Sequence, residues 1–490
     1  MNLLTDEWIP VREGGSFRKM GLGELLCTDG GARLRLPRDD MEMAALQMLV
    51  CLTQVIFTPA DAAELKARAS APMRGDEYEA AIKPFADWFD LDHAEHPFMQ
   101  TRGVKAKEVT PLQKIFTGLP GGNSHTFFNE ATELVGACPS CTSIAFFNQA
   151  SNSPSLGGGF KGALRGSAPV TTLVLGDSMR ETVWLNVLHR DAVMSLLPWY
   201  GKTEERPVWV EPISKDSDIH IHQIGLLRGL FWQPIHVELL PPTHTDKPCG
   251  LCGMEGGPLY SGFRKEKFNY HLIGVWPHPH SPRQWKISKG ERQVRFLSFT
   301  TTAPTWTRLT ECLVKKEDEK EGHVPAPVIS SYRDLFKRQR PLHLAVGGYR
   351  NKQASILQRR HEVFTIAKEW NEDLARLDGF IEKGLSVRSA LHKKLFRCGK
   401  AVESDTLAKG LSQEGSNAFY QRSEPLVHRA LREMNWREAR DARASFTKDL
   451  RKMALEIFGG VTMPYTHDPR MLAEAVVCRR SLMAELGKID

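Results

Sequence analysis

The chain has 490 residues, 41% hydrophobic and 25% charged, an ordinary globular composition that excludes a fibrous or fully disordered chain. Lys plus Arg is 65 against 58 Asp plus Glu, and the net charge of +7 permits a nucleic-acid partner without demanding one. No apolar run is long enough to span a membrane, and the opening MNLLTDEWIP lacks the basic and apolar regions of a signal peptide. The expectation is a cytoplasmic chain with no membrane partner. Nine cysteines are too few for a disulfide framework, which leaves paired cysteines for metal or redox chemistry.

Taken in chain order, Arg33 to Leu36 alternates charged and apolar residues and predicts a short strand. Pro37 to Asp40 then precedes an apolar run from Met41 to Ile56, read as a buried helix with Asp39 or Asp40 as its cap. From Lys105 to Pro169, clustered Gly, Asn and Ser predict a long, largely loop segment with a short apolar stretch at Ile144 to Phe147. Loops of that length are generally functional or disordered. Short strands are predicted at Val170 to Leu175, Val208 to Val210, His236 to Leu240 and Val294 to Phe299, with a helix near Thr182 to Leu196. The charge run Lys315 to Glu321 reads as a solvated loop or hairpin tip.

Beyond residue 360, helical patterns cover 363–382, 385–397, 404–433, 437–458 and 470–486, with breaks at Gly384, near Gly399, near Asn435 and at Gly459-Gly460. Ala439, Ala442, Phe446, Leu450 and Met453 recur at steps of three and four and form one apolar stripe. The fold class expected is α+β. A large irregular mixed α/β N-terminal domain, 1–361, precedes a C-terminal four-helix bundle, 362–490.

Cys138-Pro-Ser-Cys141 and Cys249-Gly-Leu-Cys252 are two pairs of identical spacing, separated by 107 residues. Two such turns supply four thiolates for a tetrahedral, structural zinc ion that closes a glycine-rich loop. Unrelated reduced thiols and a redox pair are the alternatives. Leu156 to Gly166 exposes backbone amides at Gly157, Gly158, Gly159, Gly162 and Gly166, with Lys161 and Arg165 between them. It is neither a P-loop nor a dinucleotide fingerprint, so a nucleic-acid backbone or groove edge suits it better than a nucleotide, with a tight structural turn as the other reading. Arg264, Lys265 and Lys267 form a second basic cluster; in a strand, Lys265 and Lys267 share a face opposite Arg264 and Phe268. Asn351, Lys352 and Gln353 follow Gly347-Gly348 as an exposed hairpin tip or helix start. His278 and His280, set among prolines, read as a rigid surface turn. Asp92, His93, Glu95 and His96 are the densest ionisable cluster and support a competing reading as a metal-dependent nuclease. Pro97 and the missing metalloprotease spacing weigh against it, and no other catalytic motif is present, so no enzyme activity is expected. A pure assembly scaffold is the third reading.

The chain resembles the family of large subunits, often called CasA, of the type I-E CRISPR surveillance complex, Cascade. The resemblance runs from Met1 to about residue 480. It is densest at Leu36-Pro-Arg-Asp-Asp-Met-Glu42, His93-Ala-Glu-His-Pro-Phe-Met-Gln100, Phe146-Phe-Asn-Gln-Ala150, Gly157-Gly-Gly-Phe-Lys161, Gly229-Leu-Phe-Trp-Gln-Pro234, Trp276-Pro-His-Pro-His280 and Gly347-Gly-Tyr-Arg-Asn351. What it implies is a non-catalytic subunit of an RNA-guided complex that reads the protospacer-adjacent motif of double-stranded DNA from the minor groove. Strand opening, guide-RNA pairing and recruitment of a helicase-nuclease follow. The implied partners are the backbone and small subunits, the guide RNA 5′ end, target DNA and that effector. Gly157 to Phe160 match the family's glycine loop, and Lys267 its groove-inserting lysine. Lys352, Gln353 and Ala354, preceded by Asn351, match its wedge. A relative has Asn where this chain has Lys352, which exchanges amide hydrogen bonding for phosphate attraction. Gly121 to Glu130 match a mobile DNA-contacting loop, with Phe127 and Asn129 as the contacts. The cysteine pairs fall where the family's metal site is expected.

Overall fold

The computed structural model describes residues 1–119, 134, 136–203, 205–336, 340–371, 374–436 and 439–489. Met1–Thr301, Lys315–Leu335 and Leu344–Val363 make one compact unit, and Thr302–Val314, Phe336–His343 and Phe364–Asp490 make a second.

In the first unit the long helix Asp39–Ile56 is apolar on nearly every face and buried from Met43 to Gln54. Its cap is Arg38 rather than an aspartate; Asp39, Asp40 and Glu42 sit in the first turn instead, where they face the positive end of the helix dipole. The segment 105–169, expected to be mostly loop, holds a second central helix, Pro139–Ser151, whose 13 residues are all buried. With every face covered, Ser, Thr, Asn and Gln occupy positions that an amphipathic pattern would leave to solvent, so periodicity did not reveal it. With Phe147 of this helix, Phe89, Phe98, Trp209 and Phe231 form a mostly edge-to-face aromatic core whose contacting ring centroids are 5.2–6.3 Å apart.

The strands group into small sheets of two to four rather than one large sheet. Two of these carry the candidate site. Gly262–Glu266 lies between Thr110–Pro111 and His236–Leu239, pairing Phe263 with Leu239 and Lys265 with Val237. Leu342–Lys352 lies between its hairpin partner Ser355–Ile366 and Thr171–Leu175. The charge run at 315–321 is indeed a hairpin tip, with Lys316 opposite His323. Val208 to Val210 is a turn closed by Val210 N–H on Pro207 O, because Trp209 is drawn into the aromatic core. The helix expected at 182–196 is two short ones, Met179–Leu185 and Arg190–Leu196.

The second unit is built on four long helices, Leu374–Lys400, Asp405–Glu433, Ala439–Thr462 and Pro469–Leu486, as the α+β reading expects. Phe446, Leu450 and Met453 of the predicted stripe are buried; the side chains of Ala439 and Ala442 lie outside the described residues. Gly384 does not break the first helix, which ends at Lys400, near Gly399 as expected. A Cβ on Gly384 would stand 3.1 Å from the Trp306 ring, and one on Gly399 would strike the backbone of Ala408, so both glycines serve close packing. Residues up to Ile366, expected to open that helix, end a strand instead.

Candidate nucleic-acid interface and cysteine centre

Gly157, Gly158 and Gly159 adopt φ of +80°, +58° and +84°, a run of left-handed backbone that side chains disfavour. The turn is closed by Phe160 N–H on Gly157 O, leaving Gly158 and Gly159 exposed. Lys267, more than a hundred positions away, donates from Nζ to Gly158 O at 3.3 Å. It is exposed and stands one residue beyond the end of strand Gly262–Glu266. The next residue, Phe268, is buried, stacks on His236 at 4.1 Å and leans on Tyr270, which fixes where Lys267 leaves the sheet. Lys265 sits on the same side as expected, 5.7 Å from the Phe160 ring, and donates to Thr110 Oγ1. Burial, with Lys114 nearby, pulls its ammonium below the usual lysine range. Lys161 lies 5.5 Å from the Tyr270 ring centroid, so its charge is partly directed inward. Arg165 departs from the expectation of an exposed basic residue: it is 4% exposed and hydrogen-bonded within the core.

The segment around Asn351 is a hairpin tip, not a helix start. Lys352 and Gln353 are exposed, and Gln353 takes the left-handed conformation at φ +53°. Asn351 is more inward than anticipated. Its amide nitrogen donates to Ser167 Oγ at 2.9 Å and to Gln353 O at 2.6 Å, which ties the hairpin to the end of the glycine loop. Ala354 and Ile356 share a cleft of about 40 Å³ with Gly118, Leu119, Pro154 and Leu156. The hairpin is also anchored from below. Tyr349 Oη donates to Asp40 Oδ2 and accepts from Asn148 Nδ2, both at 2.8 Å, and Arg38 pairs with Asp40. The glycine loop, Lys267 and the hairpin therefore share one frame. Phe127 and Asn129, and the segment Gly121 to Glu130, lie outside the described residues. Sequence reasoning gave Ser167 no role, and it met Tyr349 and Asn148 only inside the family-matching segments Gly347 to Asn351 and Phe146 to Ala150, without assigning either a task.

The two cysteine pairs meet. Every pair of the four Sγ atoms lies within 4.8 Å, and Cys138 and Cys252 stand 3.8 Å apart. Four sulfurs around zinc at about 2.3 Å would be about 3.8 Å from one another, so the donor set fits the ion in kind and spacing. Cys138 caps the helix Pro139–Ser151 and Cys141 sits in its first turn, where the dipole favours thiolates. Lys19 Nζ, 3.9 Å from Cys138 Sγ, adds positive charge, and the Cys138 N–H donates to Cys249 Sγ at 3.3 Å. Hydrogen bonding within the quartet holds Cys138 down to about 7 and pushes Cys141 well up. The other pair's loop is held by Gly250 N–H on Gly136 O, where a side chain on Gly250 would press Leu134. The first pair does open a helix, a context absent from the sequence reading, but with the second pair within reach the set fits a metal ion better than a lone redox couple.

The nuclease reading finds no centre. His93 Nδ1 accepts from the Glu95 and His96 amides, and Asp92 binds the N-terminal ammonium and Tyr260. Among the described residues these four do not form a metal-holding group. His278 and His280 are not on the surface: they are 2% and 0% exposed, and burial holds His280 down to about 3. No helix among the described residues is long and apolar enough to cross a membrane.

The glycine turn, the lysine and the hairpin follow one end of the helix Pro139–Ser151 and the four thiols gather at its other end, and comparison places the chain among CRISPR-associated proteins. The family model of the CRISPR-associated protein Cse1 matches residues 2–457, so the chain belongs to the Cse1 (CasA) family, as its motifs suggested. The CRISPR-associated protein CasA/Cse1 of Thermus thermophilus is 27% identical over 232 residues. That match covers 44% of this chain and 43% of the relative, under half the length of either. The crystal structure of Thermus thermophilus CasA superposes with a TM-score of 0.76 at 18% identity, covering 100% of this chain and 99% of the other. Thermobifida fusca Cse1 gives 0.77 at 17%, covering 100% and 98%. A chain of a CRISPR RNA-guided surveillance complex gives 0.71 at 16%, covering 98% and 99%. At these identities the likeness is one of fold.

Proposed function

We propose that this chain is the non-catalytic subunit of an RNA-guided surveillance complex that recognises a short protospacer-adjacent motif in duplex DNA through the minor groove. The observation that carries the reading is the contact of Lys267 Nζ with Gly158 O beneath an exposed run of glycine amides. An ammonium has three donors. One holds the loop, and two remain for the acceptors that A·T and T·A pairs both present in the minor groove. Such a reader tolerates related motifs, which suits a scanning step, while the guide RNA supplies the remaining specificity. The neighbouring tip, Lys352, Gln353 and Ala354, is placed to part the first base pairs next to the bound motif, with Phe127 and Asn129 as further contacts.

A zinc ion held by Cys138, Cys141, Cys249 and Cys252 acts structurally in this reading: all ligands are sulfur, and no position is left for substrate. Residues 1–361 form the reading domain. Residues 362–490 form the bundle that meets the neighbouring subunits, and the chain recruits a helicase-nuclease once DNA is opened. The fold shared with a chain of a surveillance complex supports the assignment of partners. The test is Lys267→Ala combined with Gly159→Asp in the assembled complex. Binding should fall much more for motif-bearing duplex than for duplex lacking the motif; equal loss on both removes the readout role.

A further inference from the structure

Arg165 closes the glycine loop, one residue before Gly166 and two before Ser167. It is buried, and no carboxylate is among its partners in the described residues. Its guanidinium is instead solvated by neutral acceptors. Nη1 donates to Thr171 Oγ1 at 3.0 Å and to Ser281 Oγ; Nη2 donates to Ser151 O at 2.9 Å and Asn152 Oδ1 at 2.6 Å. Thr171 Oγ1 in turn donates to the same Asn152 oxygen at 3.1 Å. Burial pulls the guanidinium down to about 9, so it stays charged at neutral pH. A buried charge without a counter-charge is expensive, and a structural turn needs only a neutral donor. The arrangement is explained by what the fork reaches. Ser151 and Asn152 end the helix that begins at the cysteine cage, Thr171 begins the strand paired with the hairpin, and Ser281 lies in the buried proline-histidine turn. A planar group with donors on several sides can hold all of these at once; an ammonium on a flexible stem cannot fix them in one geometry.

We propose that Arg165 is a positioning residue for motif readout: its buried fork sets the glycine loop against the helix of the cysteine cage and the sheet of the hairpin. The amides of Gly157–Gly159 then meet the groove at the place where Lys267 enters it. Arg165 itself touches no DNA. The inference rests on the readout role proposed above.

The test uses the complex assembled with guide RNA and a duplex library randomised at the positions adjoining the guide-matched segment. The quantity read is the spread in binding between the best and worst adjoining sequences. Arg165→Lys keeps the charge and loses the fork. Thr171→Val keeps the shape and removes one acceptor, and it carries the test should the lysine variant fail to fold. Each should narrow the spread by about tenfold, within the range for losing one base-reading contact. The dependence of affinity on salt should stay unchanged, and a cooperative melting transition shows that each variant is folded, even where the lost buried hydrogen bonds lower its midpoint. Lys267→Ala is the reference. If it leaves the spread intact, the readout role itself fails. If it collapses the spread while folded Arg165→Lys or Thr171→Val leaves it intact, the positioning role alone fails. A salt slope lowered by about one in Arg165→Gln, which removes the charge, would mean a direct phosphate contact and would also overturn the proposal.

Discussion

With zinc bound at the four cysteines as proposed, its removal should loosen the first unit by a calculable amount. A cross-link between Cys141 and Cys249 closes a loop of about 110 residues, and the chain-entropy model assigns such a closure about 4.7 kcal/mol at 25 °C. Spread over a cooperative unit of roughly 340 residues, at about 2.1 cal/mol/K per residue, this is a Tm fall of about 7 °C. The assay is thermal unfolding of the purified chain before and after exhaustive chelation, and again after zinc is restored. Cobalt substitution supplies an independent readout, since a sulfur-only tetrahedral site gives intense visible bands with thiolate charge transfer in the near ultraviolet. Cys252→Ser should weaken those bands and reproduce most of the Tm loss without chelator. The reasoning fails if chelation and Cys252→Ser each shift Tm by less than about 2 °C, or if cobalt bound to the intact chain shows no thiolate signature. Failure of the stability arm alone would mean that the loops Ala137–Cys141 and Cys249–Tyr260 are held sufficiently by their own backbone pairing.

Two further outcomes follow from charge placement. His280 is buried with its pKa held down to about 3, by burial first and Arg165 second, so the unfolded chain binds a proton there that the folded chain refuses. Its contribution to stability is therefore complete above pH of about 6.5 and is lost as pH falls toward 3, at about 1.4 kcal/mol per pH unit. Urea midpoints measured between pH 7 and pH 5 should fall accordingly, and a midpoint that does not move would show that His280 is protonated in the fold. Lys352 is exposed at the hairpin tip. Lys352→Ala should weaken duplex binding for all adjoining sequences alike and lower the salt slope by about one; a sequence-selective loss would make it a base contact instead.

How much of this was legible depends on where side chains face. The glycine turn, Lys267 and the cysteine pairs are visible because their chemistry is local: three glycines in a row demand unusual backbone, and two CxxC pairs demand a common ion. The α+β division is visible because the last third of the chain repeats apolar residues at helical spacing. What stayed hidden is set by tertiary packing. The helix Pro139–Ser151 is covered on every side, so no face had to be apolar and none had to be polar. Gly384 resembles a helix breaker in one dimension and is a point of close approach in three. Arg165 looks like one more basic residue in a basic loop, and only its four buried acceptors distinguish it.

Under the proposed function, that last distinction bears on how a degenerate reader can still discriminate. In the minor groove, A·T and T·A present nearly the same acceptors, so the donors carry little information in kind and must carry it in position. Position, in turn, has to be imposed on a run of glycines, which has the largest conformational entropy of any backbone. In the proposed reading the loop cannot stiffen itself, because side chains would block an approach to DNA. Stiffness must come from its two ends and from the one side chain that touches it. One end emerges from the helix clamped at its start by the cysteine cage, the other is pinned by Arg165 and Ser167, and the middle is met by Lys267. A motif reader made of glycine thus requires a rigid surround, and a cage of four thiols more than a hundred residues apart in sequence is a compact way to build one.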